Sequence, residues 1–479
     1  MPQTKTETQA QGQPQTKSKT RTLPSSALPA GPRSPWVLQT FGWIRSPFRF
    51  MRRAASRYGD AFTARLGGGG RPLVMLSAPE DLRTLLNQDD GDPFDAPGDL
   101  NALFEPFLGT ESVIGISGDR HRRMRRLLMP PFHGERMRSY GQTIAQISDA
   151  VIDGWPVGTT FSAQKAMQVI SMRVILSTVF GLAEGERYRE LERLLVALLD
   201  QMSSPASVSL LYFPLLRLDL GPLSPWGGFV RRRAAIDALI NDEIERRRRQ
   251  PEAFEVSSDI LSLLLAARDE QGQPMTDQEL RDELMTLLVA GHETTATALT
   301  WALYWLHRRP ELRLRLQQEL AGVDAAADPT AVLSLPYLAA VCNETLRIYP
   351  VGMLTFPRVV RRPVTLAGQR LEPDTLVIGS IYLAHRRPAV YPDPETFRPE
   401  RFLETSYSPY EFLPFGGGSR RCIGMAFAQY EMKVVLSRIL SRASLELDAT
   451  HAAHPVRRGL TSGASPVRLR RTGSPHSQG

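Results

Sequence analysis

The sequence predicts a mostly α fold with a small β region, built as one large domain. Three observations carry that expectation. Helical patterns run over 119–128, 135–154, 187–202, 228–250, 276–308, 310–321, 334–348 and 423–441. Strand-like runs are short and few, at 61–66, 72–76, 358–366 and 375–380. From Trp36 onward no internal repeat and no long polar linker marks a boundary, although 479 residues alone would suggest about two to four domains.

Residues 1–34 stand apart from the domain at 35–479. They are Gln, Thr, Ser, Pro and Lys with almost no large apolar side chains, too little to offset the entropy of ordering, so a disordered basic tail is predicted. Lys5, Lys17, Lys19, Arg21 and Arg33 against Glu7 alone give the tail +4 of the chain's formal +8. A mitochondrial presequence shares that scarcity of acids, but the prolines and the missing apolar face argue against its amphipathic helix. With 42% hydrophobic and 23% charged residues the chain has an ordinary globular composition, which excludes wholesale disorder, a collagen-like fibre and a small disulfide-stapled scaffold. Cys342 and Cys422 are the only cysteines, and no secretory signal pattern opens the chain, so a reducing, cytoplasmic setting is expected. Of the 58 basic residues only five are Lys, a skew typical of GC-rich genomes and a weak pointer to a bacterium.

The arginine run at 120–126 and the one at Arg246–Arg249 raise nucleic-acid binding, but neither is interleaved with aromatics or set in a groove-reading motif, so no nucleic-acid partner is expected. Between 205 and 228, prolines at 205, 214, 222 and 225 exclude a continuous helix around the apolar run Leu210–Leu216. That segment reads as a lid over an apolar pocket, as a patch that touches membrane, or as core. The pattern at 276–308 is the longest: Thr276 and Glu279 form a capping box, Pro310 ends the run, and 33 residues span about 50 Å. Its centre, Leu284–Leu306, is apolar on nearly every face, as a membrane span would be. Gly291-His292-Glu293-Thr294-Thr295 interrupts it with ionisable and hydroxyl groups, which favours a buried central helix whose polar break faces something.

Cys422 ends the run Phe415-Gly416-Gly417-Gly418-Ser419-Arg420-Arg421 and is followed by Ile423-Gly424. Three glycines let the loop lie flat against a large planar ligand, and a helix beginning at the thiol, with Arg420 and Arg421 alongside, favours a thiolate. A single Cys without partners at zinc spacing makes no zinc site, which leaves axial ligation of heme iron as the economical reading. A phosphate-binding turn, or a lone Cys acting as a small core hydrophobe, is the bland alternative for a bare Gly-rich stretch. Phe415, Gly416, Gly418, Arg420, Cys422 and Gly424 together, however, resemble the heme-binding signature of the cytochrome P450 family.

Other motifs resemble the same family in the expected order, and the match spans Trp36 to the C-terminus. Glu344-Thr345-Leu346-Arg347, followed by Pro399-Glu400-Arg401-Phe402, looks like the family's buried structural network of Glu344, Arg347 and Arg401; alone, such an i, i+3 pair is usually a solvated bridge. Glu293 and Thr294 resemble its acid and alcohol pair, which relays protons to dioxygen as the O–O bond breaks. A Thr on a helix can bend it by bonding back to a carbonyl, and Gly291 eases the bend. His292 is expected to point away. His121 and Arg125, one helical turn apart, together with Arg358 and Arg420, match the cations that hold the heme propionates.

The resemblance implies a mostly α fold wrapped around a buried heme b with an axial thiolate, Cys422 being the metal ligand. It implies a soluble, bacterial-type heme-thiolate monooxygenase that inserts one oxygen atom of O2 into an apolar substrate by hydroxylation or epoxidation. Fatty acid, terpene, steroid and polyketide classes all suit an uncharged pocket lined by the segment 92–118, by Ala290 and Glu293, by Val351, Gly352, Met353, Leu354 and Thr355 to Phe356, and by 460–463. No cluster cysteines and no room for a reductase domain imply a separate ferredoxin or flavodoxin with its reductase, toward which the outward arginines of 120–126 could present a docking face. A monomer without a transmembrane anchor is expected. Rearrangement, dehydration or peroxide-driven chemistry on the same heme is the near alternative, and a non-catalytic heme sensor the distant one.

Overall fold

The structure, a computed structural model, describes residues 28–473 apart from 68, 135, 182–184, 204–216, 218, 222–223, 251, 253–258, 326, 449, 451 and 459–460. Most of the segment read as a lid, membrane patch or core therefore lies outside the described residues. The longer helices are α1 (Trp36–Arg45), α2 (Pro47–Tyr58), α3 (Pro79–Asn87), α4 (Gly118–Leu128), α5 (Arg136–Asp153), α6 (Ala163–Phe180), α7 (Glu186–Ser203), α8 (Pro225–Arg249), α9 (Ile260–Ala266), α10 (Asp277–Arg308), α11 (Pro310–Leu320), α12 (Pro336–Ile348) and α13 (Met425–Arg442). The strands are β1 (Ala61–Arg65), β2 (Pro72–Leu76), β3 (Phe94–Asp95), β4 (Thr160–Ser162), β5 (Arg358–Val360), β6 (Val364–Leu366), β7 (Gln369–Leu371), β8 (Leu376–Gly379), β9 (Ser444–Leu447), β10 (Pro455–Arg458), β11 (Thr461–Ala464) and β12 (Arg468–Gly473).

The centre is a bundle of α5, α6, α10 and α13. α10 starts where its capping box predicts: Glu279 N–H donates to Thr276 Oγ1 (3.2 Å) while Thr276 N–H donates to Glu279 Oε2 (2.8 Å). α6, which packs along it, was not predicted. Its polar residues are spread around the helix and several of them, such as Gln164 and Ser171, are buried, so it lacks the clean amphipathic stripe that periodicity detects. It is delimited by Ser162, whose Oγ accepts from Lys165 N, and by Gly181 in a left-handed conformation. α12 joins the same core, where Tyr349 just past its end stacks on Trp301 of α10 at 3.6 Å between ring centroids.

A five-stranded sheet, ordered β1-β2-β8-β5-β3, flanks the bundle, with β2 and β8 parallel and the other pairs antiparallel. The predicted run 358–366 divides into β5 and β6 at Arg361-Arg362-Pro363, and β6 pairs with β7 instead of joining this sheet. β1 is an edge strand, and the chain before α1 covers it: Thr63 N donates to Ala30 O (3.3 Å) and Thr63 Oγ1 to Pro29 O (2.7 Å). Pro29 and Ala30, within the segment read as tail, are thus held on the sheet edge by bonds that composition does not register. Among the described residues no helix is long and apolar enough to cross a membrane.

Glu344 and Arg347 on α12 meet Arg401 at full burial. Arg347 Nε and Nη2 donate to the two Glu344 oxygens at 2.6 and 2.8 Å, and Arg401 Nε donates to Oε1 at 3.1 Å. The remaining guanidinium donors reach the carbonyls of Pro392, Pro394, His385 and Thr396, so the network ties α12 to the loop 385–401. Removing one charge strands the others without water: Glu344→Ala is expected to cost about 3–5 kcal/mol in equilibrium unfolding, far more than truncating a surface bridge such as Glu446 with Arg470.

Candidate active site

Cys422 lies between a short 3₁₀ turn, Gly418–Arg420, and the start of α13. Its N–H donates to Phe415 O (3.0 Å), and the Gly424 N–H reaches its sulfur. Protein encloses the thiol closely enough for burial to push its titration up, against smaller downward pulls from the Gly424 N–H, Arg125 and Arg421. Its side chain is nonetheless accessible. Both hold for a sulfur set deep among protein atoms without being packed over. The thiolate expected from the helix start and the neighbouring cations is thus outweighed by desolvation, and a bound cation would supply the missing charge.

Arg420 turns away from the sulfur. Its guanidinium donates to Ala96 O (3.0 and 2.6 Å), Val113 O (2.8 Å) and Ile116 O (2.7 Å), gathering the segment 96–116 against the loop. Arg358 bonds Asp89 Oδ2 through Nε and Nη2 (3.1 and 2.6 Å) and Gly417 O through Nη2 (2.9 Å). Asp89, at the end of α3, also accepts from Ser419 N and Oγ. Two of the three glycines serve this contact: a Cβ on Gly417 would meet Leu86 at 2.8 Å, and one on Gly418, at φ +67°, would meet Asp89 at 2.2 Å. His121 is buried and held neutral, its titration lowered to about 3 by desolvation and by the Arg420 and Arg125 charges, so it can offer hydrogen bonds but no cation. Arg125 donates to Arg421 O (2.7 Å).

Across the core, the middle of α10 is mostly buried, with Val289 and Gly291 half-buried. Leu287, Ala290 and Thr294, at i, i+3 and i+7, keep accessible surface, Ala290 most of all. Thr294 Oγ1 donates to Ala290 O (2.8 Å), the predicted back-bond, in a helix that stays α-helical from Asp277 to Arg308. Gly291 serves packing here: a Cβ would meet Ile175 of α6 at 2.9 Å. Glu293 is buried toward α6, where it accepts from Gln164 Nε2 (3.2 Å) and Gln168 Nε2 (2.6 Å). His292 points the same way, bonded to Gln168 O (3.1 Å), and burial lowers its titration to about 4.

The expected pocket segments come together in part. Ser462 N donates to Val351 O (2.9 Å) and Ser462 Oγ to Pro350 O (2.9 Å), which seats the β10–β11 hairpin on 350–351; Leu460 lies outside the described residues. Gly352 and Leu354 keep accessible surface, whereas Met353 is buried with Trp43, Met51 and Tyr382. Thr355 is buried as well, its Oγ1 donating to Phe356 O (3.0 Å) and accepting from Gly379 N (3.0 Å). The segment 92–118 is fastened by two buried acids of α10 that sequence reasoning missed: Asp282 Oδ2 accepts from Glu111 N (2.9 Å) and Glu283 Oε1 from Val113 N (2.6 Å). Gln164, Gln168 and Asp89 were missed too, because each meets its partner across more than 120 residues of chain.

These features fit a heme. An accessible thiol enclosed by protein, a helix stripe of small and hydroxyl side chains, and buried cations with a neutral imidazole supply a soft axial donor, room, and partners for carboxylates. In the same bundle, Glu431 of α13 is fully enclosed and burial raises its titration to about 8, against a downward pull from the Ser171 hydroxyl. Between about 4.5 and 8 the folded chain holds a proton there that the unfolded chain does not, so this residue's contribution to stability falls as pH rises through that range and levels off above it. Glu431→Gln, which mimics the protonated acid, is expected to flatten that part of the stability profile, measured by urea unfolding from pH 5 to 9.

A family model described as cytochrome P450 matches residues 29–469. The Mycobacterium tuberculosis protein named cytochrome P450 135B1 is 40% identical over 433 residues, covering 90% of this chain and 88% of that protein. Its cytochrome P450 138 is 34% identical over 428 residues, covering 88% and 91%. The solved structure of retinoic acid bound cyanobacterial CYP120A1 superposes with a TM-score of 0.78 at 26% identity, covering 93% of this chain and all of that one. With its thiol loop, its central helix and these relatives in agreement, the chain belongs to the cytochrome P450 family.

Proposed function

We propose that the chain inserts one oxygen atom of O2 into a C–H bond or alkene of an apolar organic molecule, with Cys422 as the axial ligand of its heme and electrons from a separate ferredoxin or flavodoxin. The observation that carries this reading is the Cys422 thiol, set deep among protein atoms yet not packed over. The heme b of this family, held by a cysteine thiolate, supplies the binding and activation of dioxygen.

What the chain's own residues contribute follows from their bonding. The Gly424 N–H steadies the sulfur's charge, and Arg125 adds a cation nearby. Arg358 and Arg420 each make four donations within the protein, which leaves one of five N–H donors for a propionate. Neutral His121 can donate one more bond. Thr294, having given its proton to Ala290 O, offers lone pairs to the open stripe, where it can orient a water. Glu293 keeps a carboxylate next to it in sequence, steadied by two amide donors from α6, and we assign it the role of passing protons inward. Leu287, Ala290, Leu354 and Phe104 carry no charge, and the retinoic acid bound by the cyanobacterial relative is largely hydrocarbon, both of which support an apolar substrate.

Three measurements test the reading. Cys422→His is expected to lose the thiolate-type carbon monoxide spectrum of the reduced protein; its retention would remove Cys422 as ligand. With surrogate ferredoxin, reductase and NAD(P)H, Thr294→Ala is expected to consume reductant while making less product, and unchanged coupling would remove it from the relay. Glu293→Ala should lower turnover on the order of 10²-fold. Product formed with peroxide but with no reductant system would instead favour the donor-independent chemistry.

A further inference from the structure

α1 is inside out. Its polar Gln39 and Thr40 are 2% and 0% exposed, while Val37, Leu38 and Phe41 are 50%, 61% and 65% exposed. The sheet edge causes this. Gln39 Oε1 accepts from Arg65 N (2.9 Å), Thr40 Oγ1 accepts from Gly67 N (3.0 Å), and Gln39 Nε2 donates to Pro32 O and Ser34 O (3.0 and 2.7 Å). Trp36 meanwhile closes on Gly70, where an added Cβ would come within 2.8 Å of it. With its polar side spent on backbone partners, the helix turns its apolar side to solvent.

The surroundings carry one sign of charge. From Thr8 to Gly59 the sequence holds Lys17, Lys19, Arg21, Arg33, Arg45, Arg49, Arg52, Arg53 and Arg57 and no acid. Arg33, Arg45, Arg49 and Arg53 are exposed and make no ion pair among the described residues. Arg457 of β10 adds another cation, donating to Trp43 O of α1 (3.1 Å). Exposed apolar side chains in a stretch whose exposed charges are arginines match the boundary between lipid headgroups and acyl chains. A second copy fits poorly, because a two-fold contact would bring the same cations face to face. A free phosphate would answer the arginines and leave Val37, Leu38 and Phe41 in water.

We propose that α1 docks on an anionic phospholipid surface, with Val37, Leu38 and Phe41 entering the acyl boundary and Arg33, Arg45, Arg49 and Arg53 lying against lipid phosphates. The surface is separate from the Cys422 site and stands whether or not the reaction above is correct.

The full-length heme-loaded protein is to be sedimented with phosphatidylcholine vesicles with and without phosphatidylglycerol. The expected result is co-sedimentation with the anionic vesicles only, weakened by salt. Leu38→Asp with Phe41→Asp, and separately Arg45→Glu with Arg49→Glu, should each weaken partitioning by roughly tenfold or more. All four side chains are exposed, so thermal unfolding and the carbon monoxide spectrum are expected to stay unchanged, which separates docking from folding and from the heme site. Absence of binding, binding indifferent to both pairs of substitutions, or concentration-dependent self-association abolished by Leu38→Asp without vesicle binding would each overturn the proposal.

Discussion

Asp89 accepts hydrogen bonds from the Arg358 guanidinium and from the backbone and hydroxyl of Ser419, and the geometry of the sulfur loop depends on that one carboxylate. Residues 415–424 have no strand ladder to fix them, and glycine gives them more conformations than any other residue would. A buried carboxylate bonded to backbone and cation restricts that freedom without water. Arg358 sits on β5 and Asp89 follows α3, so the sheet and a helix jointly set where the thiol stands. The glycines of the loop are partly explained by the same contact, because side chains at 417 and 418 would displace Leu86 and Asp89.

Much of this architecture was legible where the information is local. The capping box of α10, the back-bonding Thr294 and the Glu344–Arg347 spacing each lie within one turn of helix, so the residues announce their own geometry. The thiol loop was legible for the same reason. What escaped was non-local or lacked contrast. α6 buries polar side chains along with apolar ones and so shows no clean solvent face, and α1 has the reverse of the usual pattern because an edge strand claims its polar side chains. Asp89, Gln164, Gln168, Asp282 and Glu283 look like ordinary surface residues until the fold sets them against partners far along the chain. Met353 and Thr355 show the converse, since their place beside Val351 suggested pocket lining and the alternation of the backbone sends them elsewhere.

The bundle core is polar along one seam, and the seam is kept nearly free of net charge. His292 is neutral, Glu431 holds its proton, and Gln164 and Gln168 present amides to Glu293. Ser171 connects the two sides, its hydroxyl reaching toward Gly291 O at 3.4 Å. The Gln164 and Gln168 amides donate to the Glu293 carboxylate without adding a charge to the core.

Arg420 holds three carbonyls of the segment 96–116, and α10 holds two of its amides. That wall cannot swing outward without baring a guanidinium on one side and two carboxylates on the other. Under the role proposed for Arg420 toward a propionate, movement of this flank is tied to how firmly the prosthetic group is gripped, whereas a portal elsewhere would leave that grip untouched. On that proposal, loosening this flank to admit other guests would come at the expense of cofactor retention.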